Sequence, residues 1–316
     1  MGYGITIPFD GVPLADHRPW IEELVDLGYT DAWSAEADGS DAFTPLAVAA
    51  AWTSSLRLGT AIVPAFTRGP ALMAQCAAAM AEAAPGRFVL GIGTSSDVIV
   101  ERWNGIPFEE PYKRTRDMVR FLRRALTGEK VDEEFDTFKV KGFKLGRPPA
   151  VVPPILVAGL RPGMLRLAGR EADGAVINWL GADDVPRVVA EVGEGKEIVA
   201  RIFVCPSEDA ATVRAIGRRL VAAYLNVPVY AAFHEWLGRG QLLEGMWKAW
   251  KAGDRKLALE EIPDEVVDAL IIHGSPAEVR ATVRRYMDNG VTTPALAVIP
   301  IGVDLRQAVR DLSPTA

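Results

Sequence analysis

Short apolar runs alternate with helix-length segments along almost the whole chain, and this alternation narrows the possible folds more than any single motif. A brief apolar run bounded by glycine or proline suits a strand covered on both faces, and helices join such strands in parallel. Tyr3–Pro8, Asp31–Glu36, Leu56–Val63, Arg87–Ile92, Ile155–Ala158, Gly174–Asn178 and Val199–Cys205 read as strands. The helices that follow them read as Leu14–Leu27, Phe43–Thr53, Pro70–Ala84, Pro111–Leu126, Gly163–Gly169, Asp183–Val192 and Ala210–Tyr224. Ala269–Ile272 and Ala277–Asn289 supply an eighth pair. Eight alternations in 316 residues fit an α/β chain closed as a (β/α)8 TIM barrel, one domain over 1–316. An open doubly wound sheet is the runner-up, since nothing marks the strand-order reversal it requires. Two excursions interrupt the pattern, at about 129–154 and 226–262, after the fourth helix and before the eighth strand. In the first, Phe135–Lys141 alternates like an exposed hairpin strand; the second carries Trp236, Trp247 and Trp250.

Composition limits the chemistry. The formal charge is −6 and no dense Lys/Arg block occurs, which argues against nucleic acid and anionic membrane as partners. No uncharged apolar stretch reaches the roughly 18 residues a bilayer span needs. The start MGYGITIPFDG has no basic, apolar leader pattern, and Gly2 is a poor myristoylation match. Two cysteines, Cys76 and Cys205, and three histidines, His17, His234 and His273, argue against a disulfide scaffold and a zinc cluster. The expected protein is soluble and cytoplasmic, with a small-molecule substrate, no metal, and a second copy of itself as partner.

In a barrel the chemistry lies where strands end, so the fold selects the residues to weigh. No strand end carries a G-x-S-x-G elbow, which removes a nucleophilic hydrolase; the few possible ligands, Asp10, Glu36, Asp38 and His273, disfavour a metal hydrolase. The fourth strand instead runs into Gly93-Thr94-Ser95-Ser96, where glycine lets a ligand approach the backbone and the hydroxyls offer donors. The fifth runs into Ala158-Gly159-Leu160-Arg161, a helix amino terminus with an arginine, suited to phosphate. Asn178 closes the sixth strand. Phe9, Phe66, Trp179, Trp236 and Trp247 are the candidates for an apolar substrate pocket, while Trp33 and Trp52 read as core. Such a mouth suits a flat cofactor with a phosphorylated tail.

Several stretches resemble the luciferase-like flavin and deazaflavin oxidoreductases: GITIP, Thr67-Arg68-Gly69-Pro70, Gly86-Arg87 through Gly91-Ile92-Gly93, Ala168-Gly169 through Ala172-Asp173-Gly174, and Gly274-Ser275-Pro276. The similarity covers nearly the whole chain and is weakest in 129–150 and 226–262. Within that superfamily the serine-rich loop and Trp103–Pro111 are most similar to the actinobacterial branch that uses coenzyme F420. The resemblance implies a luciferase-like barrel, hydride transfer at the deazaflavin ring, and a non-prolyl cis peptide in Ala61-Ile62-Val63 behind that ring. It also implies that Thr94 and Ser95 contact the cofactor and that Ala158, Gly159 and Leu160 form the segment that holds its phosphate tail. Glu36 falls where similar sugar-phosphate dehydrogenases have a histidine proton donor, and Ser96 where they have a glutamate, so their substrate is not carried over.

The expectation is therefore an F420-dependent oxidoreductase. An FMN-dependent monooxygenase and a non-catalytic cofactor-binding relative are the alternatives. Glu36, at the end of the second strand, is the expected acid/base group, with Asp38 two residues on as the substitute.

Overall fold

The computed structural model describes residues 2–316. Its strands are β1 (Gly4–Thr6), β2 (Asp31–Ser34), β3 (Arg57–Thr60), β4 (Val63–Pro64), β5 (Phe88–Gly93), β6 (Val131–Glu134), β7 (Lys139–Phe143), β8 (Ile155–Ala158), β9 (Gly174–Asn178), β10 (Glu197–Cys205), β11 (Ile271–His273) and β12 (Thr293–Val298). Parallel pairing runs β1-β2-β3-β5-β8-β9-β10-β12, and β12 returns to β1, so eight strands close the barrel. Helices of the alternating units surround it, among them Phe43–Trp52, Pro70–Ala83, Pro111–Ala125 and Pro162–Glu171. Among the described residues no helix is long and apolar enough to cross a membrane.

Three local readings change. The third strand is split into β3 and β4 by a cis peptide at Ala61–Ile62. The eighth barrel strand is β12, not Ala269–Ile272: Ile271–His273 lies only beside the upper end of β10, pairing with Phe203–Cys205. Pro294 within the β12 run lowers its strand signal, whereas the paired isoleucines of β11 raise theirs. The excursions also take definite form. The first is an antiparallel β6–β7 hairpin whose Phe135, Phe138 and Phe143 surround Phe121 at 5.8–6.3 Å between ring centroids. The second is helical, comprising Pro228–Trp236, Gly240–Lys251 and Arg255–Glu260.

Alternate residues of each strand face the barrel interior, where Trp33, Val89, Leu156, Val176, Val199 and Ala295 form a cluster of their own. Trp33 fits because two neighbours lack side chains. A Cβ on Gly59 would lie 2.1 Å from the indole, and one on Gly4 would lie 2.9 Å from it. Below Trp33 the amino-terminal end is closed by Arg57, whose guanidinium pairs with Asp31 at 2.5 Å and with Glu197 and sits 5.4 Å from the Trp33 ring centroid. Burial works against the Arg57 charge, but the two carboxylates outweigh it and hold the group above its ordinary range.

Gly59→Ala should therefore overpack the interior and destabilise the fold by about 1–3 kcal/mol. In a Trp33→Leu background the same change should lose more than half of its effect, read as a double-mutant cycle from thermal or denaturant unfolding.

Candidate active site

At the carboxyl ends of β3/β4, β5, β8 and β9, which are neighbours in the barrel, the sequence-selected residues come together. Ala61, Ile62 and Ala158 pack on the interior cluster, and a Cβ on Gly93 would come within 2.9 Å of Ala158 and 3.2 Å of Ile62. These residues make a close-packed apolar shelf, which a side chain at position 93 would disrupt. Val63 is buried and pairs with Ile92, fixing the shelf to β5.

The loop after β5 turns sharply at Ser95, which adopts φ 62°, a region costly for a residue with a side chain. Thr94 donates its hydroxyl to the Ser95 carbonyl at 3.1 Å. Ser96 Oγ accepts from the Ile99 amide at 3.3 Å, at the start of the irregular helix Val98–Trp103. After β8, Gly159 is forced by closeness: its Cβ would meet Leu165 at 2.9 Å. Arg161 is exposed and caps the helix Pro162–Glu171, whose free amides point toward the mouth end.

Glu36 follows β2 and lies on a cleft of about 500 Å³ that includes Asp38, Thr67, Ile99, Trp103 and Asn104. The carboxylate has filled contacts. Arg68 Nη1 donates to it at 2.8 Å, Thr67 Oγ1 at 3.3 Å and the Ala42 amide at 3.3 Å. The Arg68 guanidinium, partly buried, is held above its ordinary range because the bond to and charge of Glu36 outweigh burial. Glu36 is thus an ion-paired carboxylate at the end of β2. Asp38 is exposed on the same cleft.

The expected apolar pocket residues do not gather into one pocket. Phe9 is buried against Trp20 and His17, at 4.8 and 5.7 Å between centroids, and its amide donates to His17 Nε2 at 2.8 Å. Phe66 packs on Phe108 at 5.2 Å under Arg114. Trp179, with φ 53°, is only 1% exposed and packs between Phe203 and Tyr224. Trp236 stacks on Phe233 and carries Arg187 over its ring, and Trp247 donates its indole N–H to the Leu225 carbonyl at 2.8 Å. Packing among helices claims these large rings, because strand-end position says nothing of side-chain direction. His273 bonds Asp268 at 2.9 Å, and His234 is buried and pushed down to about 3, chiefly by burial and then by Arg239.

The structure adds residues that the strand-end argument passed over. Arg201 follows Val199 by two positions on β10 and therefore shares its inward face, in register with Asn178 of β9. Tyr230, from the first helix of the second excursion, lies beside Asn178 and Arg201; burial raises its phenol above the ordinary range against the opposing influence of both. One signal was available: an arginine inside the apolar run Ile198–Cys205 is out of place in a covered strand. Thr6 Oγ1 and Trp33 Nε1 are further enclosed polar atoms of inward-facing residues without a partner among the described residues. Together these groups make a mouth with an apolar shelf, hydroxyl and amide donors on one side, and a cation at the back.

The family model for luciferase-like monooxygenases matches residues 1–293. A Mycobacterium tuberculosis protein named as a candidate coenzyme F420-dependent oxidoreductase is 28% identical over 99% of this chain and 98% of its own length. The 5,10-methylenetetrahydromethanopterin reductase of Methanolobus tindarius is 28% identical over 98% of each chain. Among solved structures, the coenzyme F420-dependent tetrahydromethanopterin reductase of Methanopyrus kandleri superposes with a TM-score of 0.81 at 21% identity, over 100% of this chain and 98% of that one. An F420-dependent secondary alcohol dehydrogenase gives 0.77 at 16% identity over 100% and 98%. The FMN-bound oxygenating component of a Pseudomonas putida diketocamphane monooxygenase gives 0.66 at 18% over 100% and 97%. With its closed eight-stranded barrel and a family match spanning nearly its whole length, this chain belongs to the luciferase-like monooxygenase family.

Proposed function

We propose that the chain is a coenzyme F420-dependent oxidoreductase that moves a hydride between the deazaflavin ring and a small organic substrate in the barrel mouth. One observation carries this reading: the apolar shelf of Ala61, Ile62, Gly93 and Ala158 is a seat for a flat ring, and a separate helix amino terminus lies one strand away for an anionic tail. The names of the relatives and neighbours support F420, while the FMN-bound neighbour supports an FMN monooxygenase as the second reading.

The residues present fit such a group. Gly93 lets Ile62 and Ala158 pack closely over β5, which builds the apolar surface on which a ring would lie. The shelf excludes water from one face, and Thr94, Ser95 and Asn178 offer donors along an edge. The Pro162–Glu171 helix and Arg161 would hold the phosphorylated tail. When bound, the deazaflavin would supply a ring carbon that takes or gives hydride and would lack the nitrogen at which flavins activate oxygen. Glu36 is the proposed acid/base group. Its oxygens are held in place on the cleft by Arg68, Thr67 and the Ala42 amide, and it would take the proton a substrate hydroxyl releases as the adjoining carbon gives up hydride. Asp38 is the substitute on the same cleft.

A second copy of the chain is the proposed protein partner. The adjacent helices Phe43–Trp52 and Pro70–Ala83 carry a single charge between them, Glu82, and expose Ala47, Ala51, Leu72 and Ala79. Leu72 alone is 51% exposed.

In fluorescence-quenching titrations F420 should bind about a hundredfold more tightly than FMN, and equal or stronger FMN binding would transfer the reading to a monooxygenase. Glu36→Gln should leave F420 affinity nearly unchanged and lower turnover of a confirmed substrate by about a hundredfold. A native rate would reduce Glu36 to a residue that positions Arg68 and make Asp38 the next to test. Sedimentation equilibrium should give twice the chain mass, and Leu72→Asp with Ala79→Glu should give the single chain.

A further inference from the structure

Arg201 is the one inward-facing cation of the barrel mouth whose charge the fold leaves unanswered. Arg57 pairs with Asp31 and Glu197, and Arg68 pairs with Glu36. For Arg201, no carboxylate stands at ion-pair distance among the described residues; Asp10, the acidic group that influences it, is exposed at the surface. Its Nε is fully enclosed and has no acceptor, although the residue as a whole is not sealed from solvent. The Phe203 ring lies 5.0 Å from the guanidinium carbon. A ring on the guanidinium face supports the plane and leaves the N–H edge free. Asn178 stands opposite in register, and Tyr230 is close by. Cation, amide and phenol together are a donor set that lacks an anion.

An enclosed charge without a partner is strongly unfavourable, and a fold tolerates it where a ligand completes the pair. We infer that Arg201 anchors an anionic oxygen of the substrate, and that the substrate class is a small organic carboxylate. This rests on the reading of the mouth as the site of an oxidoreductase. A carboxylate fits better than a phosphate dianion, because the guanidinium fork matches its two oxygens and one cation balances one charge. The helix amino terminus after β8 is a separate place for the cofactor's phosphate. Arg201 is thus a substrate-anchoring residue, and it stands apart from Glu36, which lies at the end of β2.

The test compares the full-length protein with Arg201→Met and Arg201→Gln, with and without F420, using benzoate and its neutral isostere benzamide as probes in calorimetric titration. The unaltered protein should prefer benzoate by about tenfold or more, and both variants should lose that preference. F420 affinity should change far less than benzoate affinity. Without any ligand, Arg201→Met should melt a few degrees higher, because the unpaired charge is gone. The inference is overturned if the unaltered protein shows no preference for benzoate or if Arg201→Met keeps it. It is equally overturned if F420 binding falls as much as benzoate binding, which would give the guanidinium to the cofactor. A lower melting temperature for Arg201→Met would make the residue structural and end the proposal as well. Should F420 fail to bind the unaltered protein while the benzoate preference depends on Arg201, the cofactor reading falls and the anchor stands.

Discussion

Trp33 at the waist of the barrel is the constraint on which the rest of the site depends. Its indole fills an interior that Gly4 and Gly59 leave open, and side chains at either glycine would collide with it. Below it, the interior is sealed by the Arg57 pairs with Asp31 and Glu197. Above it, the inward positions of the same strands become the mouth: Thr6 over Gly4 on β1, Ala61 over Gly59 just past β3, Ala158 over Leu156 on β8, Asn178 over Val176 on β9 and Arg201 over Val199 on β10. A single large ring thus sets the depth at which packing ends and chemistry begins.

The glycines do two different jobs on this frame, and both are matters of volume. Gly59 and Gly4 make room for a side chain that the protein itself supplies. Gly93 lets Ile62 and Ala158 close directly over the β5 backbone, where a Cβ would collide with both. The same reasoning separates the arginines. Arg57 and Arg68 are partly buried charges answered by carboxylates, and for both the partners outweigh burial. At Arg201 burial prevails and pushes the group below its ordinary range, with Tyr224, Tyr230 and Asp10 offering only partial compensation. The shelf and the unpaired charge lie on the same side of Trp33.

Much of the fold was legible because parallel strands covered on both faces are written as local apolar runs, and the barrel follows from counting them. The eighth strand escaped because Pro294 interrupts its run, while the isoleucines of β11 imitate a barrel strand in the place where one was due. At the site, Gly93 to Ser96 and Ala158 to Arg161 could be selected because strand ends and helix starts are backbone features. The aromatic pocket could not be read in the same way. Trp179 follows a strand directly, yet its φ of 53° buries the ring between Phe203 of β10 and Tyr224 of the following helix instead of leaving it open to a substrate. The partner of Glu36 could not be named from the sequence, since Arg68 is 32 residues away and meets it only when the end of β2 lies against the segment after β3, where the Glu36 amide donates to the Ile62 carbonyl at 3.1 Å.

The second excursion shows how this barrel shapes its mouth without altering its strands. Its helices pack Trp236 and Trp247 away from the opening, through contacts with Phe233 and Arg187 and the bond to the Leu225 carbonyl. What reaches the mouth is Tyr230 from its first helix, which meets Tyr224 of the preceding helix edge-on at 5.7 Å beside Asn178, while Tyr224 lies against Trp179. A phenol held in this way brings a donor and an apolar ring to the rim at little further loss of side-chain freedom, because both rings are already fixed by packing. On the proposed reading, this segment, one of the two that resemble the family least, would meet the substrate rather than the ring. Divergence there would change selectivity while the shelf built on Ile62 and Gly93 stays as it is, since the shelf is tied to β3 to β5 and Tyr230 lies beside Asn178 of β9 and Arg201 of β10.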